Sequence, residues 1–298
     1  MSLNLTILYR GDLSSCNYDC PYCPFAKHWE SKEELQADRD GLNRFCRWVA
    51  EQRDDRLSVF FTPWGEALVR NWYRQAIVSL THLKHVEKVA VQTNLSCSLE
   101  WLSEAVATKV GLWCTYHPGQ TIRDTFLRQC RQLDELNVSY SVGCVGLREH
   151  VTEIQSLRTQ LPDSVYLWIN AYKSQSDHYD DSTINTFNTF TAIDPLFPVN
   201  NTRHPSLGKR CHTGQSVFTV DSRGDMRRCH FVDDVIGNIH DASYRDSLYA
   251  RACPNETCGC HIGYVHLEEL QLYPRFGNGV LERVPVERKT VALELART

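Results

Sequence analysis

Residues 16 to 23 read CNYDCPYC, which places three cysteines within eight positions. They follow the first apolar run of the chain, LNLTILY at 3–9. Thiolates are soft ligands that select zinc or iron–sulfur clusters. A structural zinc site needs four ligands, and an electron-transfer ferredoxin gives each iron of a cubane cluster its own cysteine. Three cysteines therefore indicate a cluster with one iron left open, or a zinc site completed by a residue such as His28.

The overall composition limits the classes of protein that the chain can represent. It has 298 residues, 42% of them hydrophobic, and a formal net charge of −4. This composition supports a large core and gives no basic surface for nucleic acid. There is no apolar run of membrane-spanning length and no signal-peptide pattern at the start. Thirteen cysteines without an export signal indicate a cytoplasmic protein whose clustered cysteines are metal ligands rather than disulfides.

Short apolar runs alternate with helical patterns as far as about residue 192. Their length and their β-branched and aromatic content predict buried parallel strands. Helical stripes lie between them; the first begins with a capping box of Ser31 and Glu34, and the third carries Leu102, Ala105 and Val106. Such a succession predicts a parallel α/β sheet, either doubly wound or curled as a barrel. The predicted strands are 3–9, 57–61, 88–93, 110–116, 138–145 and 165–171.

A second, smaller region begins near residue 195, where the strand–helix alternation stops. We therefore predict two domains, 1–194 and 195–298. In the second, SVFTVDSRGDMRRC predicts a β-hairpin around an Asp-Ser-Arg-Gly turn. This region also holds five cysteines, at 211, 229, 253, 258 and 260. The five single cysteines of the first region are predicted to be core residues: Cys46, Cys97, Cys114, Cys130 and Cys144.

Polar or glycine-containing segments follow each of the predicted strands. The carboxyl ends of parallel strands lie at one edge of a sheet or barrel, and ligands bind there. Six such segments at one edge therefore predict a single large site. Besides the cysteine loop they are TPWGEA (62–67), TNLS (93–96), TYHPG (115–119), GCVG (143–146) and NAYK (170–173).

The spacing Cys16-x3-Cys20-x2-Cys23, with Tyr22 before the last cysteine, resembles the defining motif of the radical S-adenosylmethionine (radical SAM) superfamily. The resemblance implies a partial (β/α)6 TIM-like barrel and a [4Fe–4S] cluster held by the three cysteines, with S-adenosylmethionine on the open iron. It also implies a flavodoxin- or ferredoxin-type reductant. The resemblance further implies that Tyr22 packs against the bound cofactor.

The same resemblance assigns roles to other residues near the strand ends. WGEAL at 64–68 resembles the family's Gly-Gly-Glu motif, so Glu66 is expected to bind the amino group of S-adenosylmethionine. Thr115 resembles the residue that contacts the ribose. Arg128, four residues after Asp124, is a candidate for the cofactor carboxylate.

Two further motifs at this edge have less defined roles. VGLRE at 145–149 resembles the fifth-strand motif that packs against adenine, and it ends in Glu149. Asn94 and Asn170 are polar residues of the predicted site without an assigned partner, and Asn94 is grouped with the cofactor-binding residues.

The spacing Cys211-x12-Gly224-x4-Cys229 resembles the start of the SPASM and twitch domains of radical SAM enzymes. It implies a small cysteine-rich α+β domain with a second, auxiliary [4Fe–4S] cluster. Cys253, Cys258 and Cys260 bring the candidate ligands to five for four positions. The alternative is a structural zinc held by Cys211, Cys229, Cys258 and Cys260, and His212, His230 and His261 are adjacent further candidates.

The resemblance thus implies an enzyme that cleaves S-adenosylmethionine to a 5′-deoxyadenosyl radical, which removes a hydrogen atom from a substrate. The substrate is a small molecule or a peptide or protein side chain. Two other classes stay open: an iron–sulfur electron-transfer protein with four cysteines per cluster, and a zinc-stabilised interaction protein without radical chemistry.

Overall fold

The computed structural model of the chain describes residues 2–25, 29–175, 178–179 and 184–288. Its first part repeats a strand and a connection six times, as the alternation of apolar runs predicts. The strands are β1 (Asn4–Tyr9), β2 (Arg56–Phe61), β3 (Val86–Thr93), β4 (Val110–Tyr116), β5 (Ser139–Val145) and β6 (Leu167–Asn170). The helices are α1 (Lys32–Glu51), α2 (Asn71–Thr81), α3 (Arg123–Glu135), α4 (Val151–Gln160), α5 (Ile184–Ile193) and α6 (Phe197–Asn201).

The connection between β3 and β4 corrects the sequence prediction. In place of an α-helix it forms two 3-10 turns, Glu100–Glu104 and Ala107–Lys109, joined by an extended Ala105. The segment still buries Leu102. The side-chain oxygen of Thr81 accepts a hydrogen bond from the Val106 N–H at 3.1 Å, and this bond replaces one that a helix would have made.

The remaining elements are short. They are β7 (His204–Pro205), β8 (Val217–Val220), β9 (Asp225–Arg227), β10 (Val235–Asn238), β11 (Thr257–Cys258), α7 (His261–Tyr264) and α8 (Leu272–Phe276). The predicted hairpin is confirmed, since β8 and β9 pair antiparallel around the turn at 221–224. Gly224 has φ of +86°, a conformation that glycine adopts without a steric cost.

One sheet joins the two regions of the chain. Its strand order is β10-β9-β8-β1-β2-β3-β4-β5-β6, with every pair from β1 to β6 parallel. Strand β8 lies parallel to β1 on its free side, with Thr6 opposite Val217. The two short strands β7 and β11 form a separate sheet. The fold is therefore the predicted partial barrel with a small hairpin-bearing C-terminal region; the boundary at 194/195 stays a prediction.

The sheet has two apolar faces because successive side chains point to opposite sides. The outer face, with Ile7, Val59 and Leu112, packs against the helices. The inner face carries Leu8, Phe60, Ala90, Trp113 and Trp168 and packs against Val265, Leu267, Leu272, Phe276 and Leu281 of the C-terminal region. That region therefore fills part of the concave side of the barrel.

Two further sequence predictions can be compared with the fold. Among the five single cysteines, Cys114, Cys130 and Cys144 are buried, while Cys46 and Cys97 are half-buried against the core. The capping box is present: Ser31 accepts from the Glu34 N–H at 3.1 Å and Glu34 from the Ser31 N–H at 2.7 Å. Within the described residues, no helix has the length and apolar character of a membrane span.

Candidate cluster and cofactor site

The three cysteines lie on the loop between β1 and α1, at the carboxyl end of the first strand. Cys20 is buried, and Cys16 and Cys23 are half-buried. A tight turn brings the last two together, since the Cys23 N–H donates to the Cys20 carbonyl at 3.1 Å. His28, the candidate fourth zinc ligand, lies outside the described residues.

A buried carboxylate fixes the start of this loop. Glu30 accepts hydrogen bonds from the N–H groups of Ser14 and Ser15, at 2.5 and 2.7 Å. Arg70 lies 3.8 Å from the same carboxylate and donates to the Ser15 hydroxyl at 2.7 Å. Burial favours the neutral acid, but the hydrogen bonds from Ser15 and Ser14 outweigh it and lower the pKa of Glu30 to about 2. The carboxylate is therefore ionised and holds the loop in place.

Residues after β3 hold the loop from another side. The Asn94 side chain donates to Asn17 at 2.9 Å and approaches the Cys16 sulfur at 3.8 Å. The Tyr18 N–H lies 3.4 Å from the same sulfur. Hydrogen bonds of this kind stabilise a thiolate. Sequence reasoning placed Asn94 at the site without a partner; the structure gives it Asn17 and Cys16 as partners.

His117, just after β4, contacts two residues of the cysteine motif. Its Nδ1 lies 3.0 Å from the Tyr22 hydroxyl and 3.4 Å from the Cys20 sulfur, and its ring stacks on Tyr22 at 6.0 Å between centroids. His150 also packs edge-on against Tyr22, at 5.5 Å between ring centroids. Tyr22 is therefore fixed beside Cys20. Sequence reasoning quoted the segment that contains His117 but did not single it out; its position after a strand was the available signal.

Gln120, in the same loop, was also missed by sequence reasoning. Its side chain accepts from the Asp19 N–H at 2.7 Å and donates to the Asp19 carbonyl at 3.2 Å. This pair of bonds connects the middle of the cysteine loop to the loop after β4. The cysteine loop is thus held by residues from three neighbouring connections.

Glu66 is a buried carboxylate in the connection that follows β2. It accepts from the Thr93 hydroxyl at 2.8 Å, the Asn94 N–H at 2.6 Å and the Leu68 N–H at 3.1 Å. Burial raises the pKa of Glu66 to about 7, against the effect of these hydrogen bonds. A cation bound beside it would favour the ionised form, which suits the amino group expected there.

Gly65 explains why the motif needs a glycine before this glutamate. A Cβ on Gly65 would lie 2.0 Å from the Ser15 carbonyl oxygen, which is closer than atoms can approach. The Gly65 N–H donates to Leu13 at 3.2 Å and the Glu66 N–H to Ser15 at 3.0 Å. The motif after β2 is therefore packed directly against the cysteine loop.

The structure also locates the other residues predicted to lie at the site. Thr115 is half-buried in β4 and shares the inner face of the barrel with Trp113. Arg128 is exposed on α3, and its guanidinium donates to Thr125 on the same helix at 3.1 Å. The described contacts do not bring Arg128 to the cysteine loop, so its role stays a prediction. Glu149 and Asn170 are exposed at the ends of their segments.

The five C-terminal cysteines are linked through the pKa values of Cys229 and Cys258. Burial raises the pKa of Cys229 to about 11, with Cys211 and Cys253 contributing. Burial also raises the pKa of Cys258 to about 12, with contributions from Cys229, Cys260, Cys211 and Cys253. Thr213 donates to the Cys211 sulfur at 3.1 Å. The thiols of residues far apart in sequence are thus brought into one neighbourhood.

The histidines that adjoin these cysteines in sequence contact other side chains of the protein. His212 stacks on Tyr273 at 4.4 Å, His230 lies 3.1 Å from the Thr219 hydroxyl, and His261 packs against Trp113 at 5.2 Å. Among the described residues, no three His, Cys, Asp or Glu side chains are grouped as ligands of a single metal ion. Each cysteine of a cubane cluster binds a different iron, so cluster thiols need not converge on one point.

The three thiols of the first loop fit such a cluster in their chemistry. They are sulfur donors only, they share one loop, and N–H groups already lie near the Cys16 sulfur. The buried Glu66 next to them fits a ligand that carries an ammonium group. Both observations agree with the cofactors that the motif implies.

Comparison with solved structures shows that the fold of this chain is similar to that of the radical SAM enzyme anSMEcpe. The anSMEcpe structure with bound AdoMet has 15% sequence identity to this chain and a TM-score of 0.53. The match covers 81% of this chain and 80% of that chain. The anSMEcpe structure with AdoMet and the Cp18Cys peptide has 16% sequence identity and a TM-score of 0.52. That match covers 81% of this chain and 79% of that chain.

A third anSMEcpe structure, with AdoMet and the Kp18Cys peptide, is matched over 97% of this chain and 99% of that chain. Its identity to this chain is 14% and its TM-score 0.50. No protein-family model matches the sequence. No curated protein matches it either.

Proposed function

We propose that this protein is a radical SAM enzyme that removes a hydrogen atom from a small molecule or from a peptide or protein side chain. The observation that carries the proposal is the juxtaposition of the three-thiol loop with the buried Glu66, which are packed together through Gly65. An electron-transfer protein has no need of a buried carboxylate beside its cluster. When bound, the cluster and S-adenosylmethionine together supply the 5′-deoxyadenosyl radical.

The residues of this chain bind and orient those groups. Cys16, Cys20 and Cys23 hold the catalytic [4Fe–4S] cluster, and Asn94 donates toward the Cys16 sulfur. Glu66 binds the ammonium group of S-adenosylmethionine, and Tyr22, fixed by His117, packs against the cofactor. Thr115 contacts the ribose from the inner face of β4. Arg128 is the candidate for the cofactor carboxylate, which requires its side chain to leave Thr125.

The C-terminal region holds an auxiliary [4Fe–4S] cluster on four of its five cysteines. Support comes from the mutual influence of these thiols and from the shared fold. The enzyme acts in the cytoplasm with a flavodoxin- or ferredoxin-type reductant. A peptide substrate is supported by the structure of anSMEcpe with a bound peptide, and a small molecule remains the other candidate.

Anaerobic reconstitution with iron and sulfide tests the proposal. Two four-iron clusters give about eight irons per chain, and a reductant then yields 5′-deoxyadenosine from S-adenosylmethionine. Cys20→Ala removes a catalytic-cluster ligand, so we expect about four irons and no 5′-deoxyadenosine.

The matched control is Cys46→Ala, which removes a half-buried thiol on α1. It should keep both the iron content and the cleavage. A wild-type protein that binds only zinc, or that never produces 5′-deoxyadenosine, would contradict the proposal. Cleavage that survives in Cys20→Ala would do so too.

A further inference from the structure

Arg228 is a buried arginine next to Cys229 in the C-terminal region. Its side chain follows β9 and is 3% exposed. Arginine is almost never fully buried without a partner of opposite charge, because taking a charge out of water costs several kcal/mol. The surroundings of Arg228 should therefore contain an anion.

The partners that the structure gives to Arg228 are all neutral oxygens. Its Nη1 donates to the Ala252 carbonyl, and its Nη2 lies 3.3 Å from the Arg251 carbonyl and 3.4 Å from the Thr213 hydroxyl. Its Nε is buried and has no hydrogen-bond partner among the described residues. Among the same residues, no carboxylate oxygen lies within 4.0 Å of its guanidinium nitrogens. The protein thus leaves one buried positive charge and one buried donor unmatched.

The same contacts place the guanidinium close to three of the C-terminal cysteines. Thr213, which it contacts, donates to the Cys211 sulfur at 3.1 Å. Ala252, whose carbonyl it binds, immediately precedes Cys253. Cys229 is the next residue of the chain. Three segments, each with one cysteine, therefore meet at this side chain.

The fold fixes Arg228 in this position. Gly214, directly after Thr213, has φ of +85°, and a Cβ there would lie 3.1 Å from the Arg228 Cβ. The Gly214 N–H donates to the Val217 carbonyl at 2.7 Å, and its own carbonyl accepts from the Tyr249 N–H at 3.1 Å. The loop that carries Thr213 is therefore held against Arg228, and burial of the charge is part of the fold.

A metal centre built on the cysteine thiolates would supply the missing negative charge. Four thiolates outweigh the positive charge of an iron–sulfur core or of a zinc ion, so either centre is an anion as a whole. Its sulfur atoms also accept hydrogen bonds. Both the charge and the free donor of Arg228 are matched by such a group.

We infer that Arg228 is the counter-charge of the metal centre held by the C-terminal cysteines and donates a hydrogen bond to it through Nε. That this centre is a [4Fe–4S] cluster rests on the proposed function; the requirement of the buried arginine for an anion does not. A reduced cluster carries one more negative charge than an oxidised one, so the arginine stabilises the reduced form more and raises the reduction potential.

The reduction potential tests this role. The variants are made in the Cys20→Ala background, which removes a ligand of the first cluster and leaves the auxiliary one. After anaerobic reconstitution, the reduced cluster is followed by electron paramagnetic resonance during a redox titration. At the solution potential that half-reduces the parent protein, Arg228→Met should lower the ratio of reduced to oxidised cluster about tenfold, or about 59 mV for a one-electron couple.

Arg228→Lys separates the charge from the structural contacts. Lysine keeps the positive charge but cannot reproduce the planar set of donors that binds Ala252, Arg251 and Thr213, so we expect a ratio within about threefold of the parent. The matched control is Arg227→Met, which removes the neighbouring arginine, already paired with Asp221 at 2.9 Å. It should leave both the ratio and the iron content unchanged.

Three results would overturn the inference. The ratio in Arg228→Met could equal that of the parent. Arg228→Lys could lower the ratio as far as Arg228→Met does, so that the charge is not what matters. Both variants could lose their iron while Arg227→Met keeps it, in which case Arg228 only holds the backbone segments together. Loss of iron in Arg228→Met alone would support the inference, because the retained charge of lysine then suffices for assembly.

The metal content of the Cys20→Ala protein separates this inference from the proposed function. About four irons agree with an auxiliary cluster, whereas zinc would remove that cluster from the proposed function. The role of Arg228 would then be measured by release of zinc to EDTA. Release should be about tenfold faster in Arg228→Met than in Arg228→Lys, and equal rates would contradict the inference. A protein that binds neither metal through these cysteines would overturn both.

Discussion

Glu66 combines burial, three hydrogen bonds and a raised pKa in one side chain. A carboxylate in this position is held by its neighbours, but in the absence of a bound cation its charge is unfavourable. An ammonium ligand would therefore stabilise the ionised form of Glu66, which is unfavourable in the protein without that ligand. This argument yields a prediction about stability rather than activity.

The cluster-free protein should lose stability as the pH rises from about 4.5 to about 7. Burial raises the pKa of Glu66 from its ordinary value of 4.5 to about 7, so in this range the folded state binds more protons than the unfolded state. The loss amounts to about 3 kcal/mol in the free energy of unfolding. Glu66→Gln should remove this part of the pH dependence, as measured by urea unfolding at a series of pH values under reducing conditions.

The quantity to compare is the slope of the free energy of unfolding against pH, rather than its value at one pH. In Glu66→Gln, an amide NH2 group can stand where a carboxylate oxygen accepts from the Asn94 N–H. That change lowers stability at every pH. Glu135→Gln, at the exposed end of α3, should keep the slope of the wild type. Identical slopes for wild type and Glu66→Gln would show that Glu66 does not titrate as described.

At the scale of elements, α1 is the helix that follows the cysteine loop, and its position helps to fix that loop. Asp38, on this helix, accepts from the Leu13 N–H at 3.0 Å and from the Trp72 indole at 2.8 Å. Glu30, which binds Ser14 and Ser15, immediately precedes the capping residue Ser31. The start of α1 is therefore connected to the site through two carboxylates.

Ser31→Ala should destabilise the protein by about 1 kcal/mol, because it removes the side-chain acceptor of the capping box. Urea unfolding of the cluster-free protein measures this difference. Ser79→Ala, an exposed serine inside α2, is the control and should be neutral or slightly stabilising, since alanine favours the helix interior. Equal effects of the two changes would show that the capping box contributes no stability.

The connection between β3 and β4 shows where element prediction from the sequence failed. Apolar residues at helical spacing predicted an α-helix, and the structure has two 3-10 turns with Leu99 and Leu102 buried. The pattern identified residues that face the core, which is the part that burial determines. It could not distinguish a helix from tight turns in so short a segment, where the Thr81 hydroxyl supplies a competing hydrogen bond.

At the scale of the whole molecule, Glu282 connects the C-terminal segment to the strands of the barrel. Glu282 is fully buried and forms an ion pair with Lys88 of β3. It also accepts from Ser139 of β5 at 2.9 Å, and its carbonyl accepts from Ser141 at 2.6 Å. The segment is thus tied to two strands of the sheet through the residue that precedes Arg283.

Lys88→Met should destabilise the protein by about 3 kcal/mol, because it leaves the buried Glu282 charge without its cation. The double variant Lys88→Met/Glu282→Met should recover much of this loss. The control is Arg56→Met, which breaks an exposed pair with Glu87 and should cost less than about 1 kcal/mol. Similar small effects at both sites, measured by urea unfolding, would contradict the anchoring role of Glu282.

The sequence by itself determined the six strands, the hairpin and the position of the three-cysteine loop. These follow from local patterns: apolar periodicity, turn residues and a fixed spacing of thiols. Only the tertiary structure decided that β8 extends the sheet beyond β1 and that His117 and Gln120 support the cysteine loop. These contacts join residues about a hundred or more positions apart, and no local pattern encodes them because they arise only when the sheet curls and its concave face is filled.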